Sequence, residues 1–104
     1  MSVLLNFAMF PTDKGGKGIS KYVSKVINMI DESGVSYKLN PMGTTIETAT
    51  MQEALAMVQK AYDILEPDAD RIYSSITIDI RKDRVDGMQQ KIASIEKRIG
   101  EVNQ

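Results

Sequence analysis

Two acidic residues set in strand-like sequence carry most of the chemistry open to this chain. Glu47 belongs to Gly43-Thr44-Thr45-Ile46-Glu47-Thr48, where alternation puts Thr45 and Glu47 on one face and Ile46 on the other. A carboxylate in mid-sheet costs free energy unless something pairs with it. Asp79 stands in residues 71–82, sharing a face with Tyr73, Ser75, Thr77 and Arg81. Asn6 is the one strongly polar side chain of an otherwise apolar opening stretch. Such carboxylates, hydroxyls and an amide can hydrogen-bond a ligand and offset a positive charge. Alternatively, Glu47 and Asp79 form an acid–base pair. Each also has a structural rival: Glu47 as cross-strand partner of Lys38 or Arg81, and Asp79 in an ion pair with Arg81 or Arg84. Catalysis finds little other support. The 104 residues include no Cys and no His, which removes disulfides, thiolate nucleophiles, Ser-His triads and the usual zinc sites. No catalytic residue and no metal ligand is expected.

The elements that position these groups follow from periodicity. Val3, Leu5, Phe7 and Met9 alternate with Asn6 and Ala8 in a first strand over residues 2–10, closed by Pro11. Residues 12–18 read as a connecting loop; its glycines do not match the Walker pattern. Ile19, Tyr22, Val23, Val26, Ile27 and Ile30 fall at helical spacing, Tyr22 included as core, and Gly34 is the expected stop. A hairpin follows, with Val35, Tyr37 and Leu39 on one strand; Pro41 fixes one turn angle and Gly43 tolerates a positive φ. Thr50 to Glu53 form a capping box, opening a helix whose stripe is Met51, Ala54, Leu55, Val58, Ala61, Tyr62 and Leu65. Glu66-Pro67-Asp68 ends it. In residues 71–82, Ile72, Ser74, Ile76, Ile78 and Ile80 line the face opposite Asp79.

The order βαββαβ predicts an α+β, ferredoxin-like sandwich: a four-stranded antiparallel sheet with two helices on one face. A C-terminal helix is added, with Val85, Met88, Ile92, Ile95, Ile99 and Val102 at heptad steps. The predicted division is a ligand-binding domain over 1–84 and, over 85–104, a helix that packs on its own sheet or on a second subunit. Strand parity then places Asn6, Ala8, Thr45, Glu47, Ser75, Thr77 and Asp79 on the face that neither sandwich helix covers. Thr44 and Tyr37 have the opposite parity: Thr44 shapes the turn, and Tyr37 groups with Val35 and Leu39 in the core.

The stretch Tyr37-Lys38-Leu39-Asn40-Pro41-Met42-Gly43-Thr44-Thr45-Ile46-Glu47 resembles the hallmark of the small thiamine-binding proteins of the YkoF-like superfamily. Supporting matches are Phe10-Pro11, Ser20-Lys21-Tyr22-Val23, Ser33-Gly34-Val35 and Ile78-Asp79-Ile80-Arg81, in the family's order and spanning about residues 2 to 84. The resemblance implies non-catalytic binding of thiamine or its aminopyrimidine fragment on the open sheet face, with no cofactor beyond that ligand. It implies Glu47 as pyrimidine anchor, Thr45 and Asn6 as hydrogen-bonding neighbours, and Asp79 facing the cationic ring. Thr44 and Tyr37 enter as members of the motif. Thiamine chemistry agrees, since carboxylates accept from its exocyclic amine and offset its thiazolium charge.

Composition narrows the remaining classes. Forty-two per cent apolar and 26% charged residues are ordinary for a globular domain, and a net charge of −1 offers no reason to bind nucleic acid or an anionic membrane. The apolar start, Val3 to Phe10, is too short to span a bilayer and has no charged leader, so a cytoplasmic protein is expected. Self-association as a dimer or tetramer is expected, with the site at a subunit interface. The competing readings are a structural interaction module without a ligand and an acid–base enzyme.

Overall fold

Alternating Val3, Leu5, Phe7 and Met9 build β1 (Ser2–Pro11) and bury that face. In the computed structural model, which describes residues 1–15, 18–83 and 87–102, six further elements follow in chain order. They are α1 (Ile19–Ser33), β2 (Ser36–Asn40), β3 (Gly43–Thr48), α2 (Met51–Leu65), β4 (Ile72–Arg81) and α3 (Gly87–Ile99), with a short 3-10 turn at Glu66–Asp68. The strands pair antiparallel in the order β2-β3-β1-β4. This is the expected ferredoxin-like arrangement. Residues 16–17, 84–86 and 103–104, and with them Arg84 and the first position of the heptad seam, Val85, lie outside the described residues.

Local signals place the element ends. Gly34 takes φ 79° and stops α1, while the Thr50 hydroxyl accepts from the Glu53 N–H at 3.1 Å to start α2. The hairpin turn works differently from the expectation. Gly43 does not need a positive φ; a Cβ there would stand 2.8 Å from the Phe7 carbonyl oxygen, so glycine is required by the close approach of β1. The reversal itself is held by Asn40, whose side-chain oxygen accepts from the Met42 N–H at 2.8 Å.

The core lies between the sheet and the pair α1 and α2. Leu5, Ile30, Ile46, Ala54, Ala61 and Leu65 are fully buried there, with Val26 and Met57 beside them. The predicted stripe of α2 is thus rotated: Met57 joins it, while Leu55 and Tyr62 stand 47% and 43% exposed. Alanines at 54 and 61 let the helix lie close to the sheet, which moves the larger side chains to its flank. The isoleucine face of β4 also differs from a core face. Ile76, Ile78 and Ile80 remain 41%, 37% and 42% exposed, because β4 is an edge strand beyond the reach of the helices.

Candidate functional site

Strand register assembles the open face in rows. Lys38, Thr45, Asn6 and Thr77 are cross-strand neighbours and form one row across all four strands. Ser36, Glu47, Leu4 and Asp79 form the next row. The polar row is wired internally, since the Thr45 hydroxyl donates to the Asn6 side-chain oxygen Oδ1 at 3.0 Å. That bond turns the Asn6 amide nitrogen toward the Gly43 end of the hairpin, where it would lie 3.5 Å from a Cβ at Gly43.

α3 lies over this face, and together they border a cavity of about 470 Å³ that opens to solvent. Leu4, Asn6, Thr45, Thr77 and Asp79 form its floor, Lys38, Leu39 and Asn40 its β2 side, and Met88, Lys91 and Ile92 of α3 its wall. The size lies within the range of small-ligand sites, and the mix of apolar cover with a few directional polar groups is what such sites use. Asp79 and Lys91 meet at 3.0 Å across the opening, both more than half exposed.

Glu47 has a different employment. Its carboxylate accepts from the Gly87 N–H at 2.6 Å, the Met88 N–H at 3.4 Å and the Ser2 hydroxyl. It therefore sits at the N-terminus of α3, where unpaired backbone N–H groups and the helix dipole favour an anion. Ser2 and Met88 beside it are buried. Glu47 is not among the residues lining the cavity; it reaches that space through the helix it holds. Of the two rival partners for Glu47, Arg81 instead meets Asp83 at 3.2 Å. Asp79 meets Lys91, a partner the sequence reading did not weigh.

The structure thus brings Asn6, Thr45 and Asp79 together around one space and sets Glu47 at its margin. Thr44 and Tyr37 lie on the other side of the sheet. Thr44 is 4% exposed in the helix-covered layer. The Tyr37 hydroxyl donates to Asp31 at 2.8 Å, and this hydrogen bond to a carboxylate raises the phenol above the ordinary tyrosine range. Met88, Lys91 and Ile92 are among the lining residues that sequence reasoning missed, as is Leu39, expected in the core but 60% exposed beside the cavity. Met88 and Ile92 were visible as a seam, but nothing local told which surface the seam would meet.

A family model described as thiamine-binding protein matches residues 5–96. The chain belongs to that family. Among similar sequences, the UPF0045 protein Mb1933 of Mycobacterium bovis is 34% identical over 97 residues, covering 93% of this chain and 94% of that one. The UPF0045 protein MJ1052 of Methanocaldococcus jannaschii is 33% identical over 93 residues, covering 89% and 91%. The crystal structure of MJ1052 superposes with a TM-score of 0.81, covering 92% of this chain and 97% of that one at 31% identity. TM0486 of Thermotoga maritima shares the fold at a TM-score of 0.78 and 21% identity, covering 91% and 99%.

Proposed function

We propose that this member of the thiamine-binding family holds thiamine, or its aminopyrimidine fragment, unchanged in the cavity between the open sheet face and α3. The observation that carries the reading is the row Lys38, Thr45, Asn6 and Thr77 facing an apolar wall of Met88 and Ile92 across about 470 Å³. The Asn6 amide and Thr45 hydroxyl offer donors and acceptors to a pyrimidine edge. Leu4, Met88 and Ile92 cover the ring faces, Met88 with a side chain soft enough to adapt. Asp79 stands where a cationic ring needs a counter-charge. Glu47 serves the ligand by holding α3 over it.

Binding is favoured over acid–base chemistry by the register. Glu47 and Asp79 both lie opposite Leu4, on its two sides, so their backbones are two strand spacings, about 10 Å, apart with a leucine between them. Both carboxylates are also already engaged, one by backbone N–H groups and one by Lys91.

Self-association belongs to the same proposal. β4 offers a ten-residue edge with three half-exposed isoleucines on one face and the cavity residues Thr77 and Asp79 on the other. Pairing of two β4 edges would cover unsatisfied backbone groups and set two cavities near one seam. A dimer formed this way, or a tetramer built on it, competes with a ligand-free structural module only if the cavity stays empty. Titration calorimetry with thiamine tests the reading. Saturable heat at one site per chain is expected, with thiamine recovered intact; no heat with thiamine or with the aminopyrimidine alcohol overturns it.

A further inference from the structure

We propose that Lys91 is a tethered stand-in for the ligand's positive charge, so that a cationic ligand must displace it from Asp79 and in doing so loosens α3. The inference rests on the reading that the cavity takes a thiamine-like cation.

Among the described residues, two contacts of different character fasten α3. Its first turn is held by Glu47, through the N–H groups of Gly87 and Met88, and both residues are buried. One turn further on, the Lys91 ammonium meets the Asp79 carboxylate at 3.0 Å. Beyond that the helix overhangs: Ile95 is 51% exposed and Ile99 73%.

The second fastening lies inside the proposed site, since Lys91 and Asp79 both line the cavity with Thr77, Met88 and Ile92. Their side chains are 59% and 52% exposed, so the pair exchanges readily with solvent and with competing ions. A ring cation that reaches Asp79 comes to the place the ammonium holds, and two cations at one carboxylate repel each other. The ligand's charge wins that place when its uncharged parts are bound as well, by the polar row and the apolar wall. α3 then keeps its Glu47 anchor and loses the next one. At 13 residues it is near the length below which an isolated helix is marginal in water, so a lost tertiary contact raises its fraying. Occupancy of the cavity is in this way converted into motion of a helix that carries exposed Ile95 and Ile99. The coupling is reciprocal: whatever strengthens the Lys91–Asp79 contact weakens binding of the cation.

The test uses the full chain, with Lys91→Ala and Lys91→Arg as variants. Each is titrated with thiamine and with the neutral aminopyrimidine alcohol, and amide exchange of α3 is followed by mass spectrometry. Removing an exposed competing ion is expected to tighten thiamine binding about 2- to 5-fold in Lys91→Ala, with no comparable gain for the neutral fragment. Lys91→Arg, which keeps the charge, is expected to bind thiamine as the parent does. Thiamine is expected to speed exchange across α3 in the parent chain. The inference is overturned if Lys91→Ala binds thiamine no more tightly than the parent, if Lys91→Arg gains equally, or if thiamine slows α3 exchange. A parent chain that binds thiamine while the variants show any of these outcomes leaves the binding reading intact. A parent chain that binds neither compound removes the binding reading and this inference together.

Discussion

Asn6 and Thr45 face each other across β1 and β3, and their mutual hydrogen bond presets the edge they would show to a flat heterocycle. Replacing Asn6 by Ala removes the amide and leaves the Thr45 hydroxyl without its acceptor. One lost net hydrogen bond of about 1 to 1.5 kcal/mol corresponds to roughly a tenfold weaker thiamine affinity, measurable by calorimetry, with the circular dichroism spectrum unchanged. Tyr37 gives a prediction on the opposite side of the sheet. Its phenol donates to Asp31, so its folded-state pKa lies above the unfolded value of about 10. The bond therefore contributes stability in full below that unfolded value and loses it as pH rises through the raised folded value. Spectroscopic titration should find Tyr37 ionising above the ordinary tyrosine range, and Asp31→Asn should bring it back down.

At the scale of elements, α3 and β4 decide what the open face can do. The carboxylate of Glu47 accepts from the first described N–H groups of α3, those of Gly87 and Met88. Glu47→Gln keeps the shape but loses the charge that the helix terminus favours. A destabilisation of about 1 kcal/mol is expected, with faster amide exchange confined mainly to residues 87–99. Exchange that stays unchanged in α3 would show that its docking does not depend on Glu47. β4 raises a separate question, because its exposed Ile76 and Ile80 make it a poor edge for a solitary chain. Sedimentation should find the parent chain larger than a monomer and the Ile76→Lys, Ile80→Lys double variant reduced to monomers that keep the parent's secondary structure. A parent chain that sediments as a monomer would sink the edge-pairing proposal.

For the molecule as a whole, a 104-residue domain has a thin margin of stability, and a ligand that binds only the folded form adds to it visibly. Thiamine at one hundred times its dissociation constant should contribute about 2.7 kcal/mol, which for a chain of this size raises the melting temperature by on the order of 10 °C. A small organic cation without a pyrimidine, such as tetramethylammonium, should leave the melting temperature where it was. Much of this molecule was legible one residue at a time. Alternation in 2–10, 43–48 and 71–82 determined which side chains share a face, because a strand's period of two is a property of its own backbone. The caps at Gly34 and Thr50 likewise follow from local geometry. What Glu47 would meet was not legible, since its partners lie 40 residues away in α3 and at the opposite end of the chain in Ser2. Nor could periodicity reveal that Met88, Lys91 and Ile92 would wall a cavity, because a seam states that a helix has an apolar side and not which surface receives it. Faces are a consequence of local backbone geometry, so the order of residues is enough to assign them. Docking is a consequence of long-range complementarity among elements, so that the mid-sheet acid holds a helix emerges only once the chain is folded.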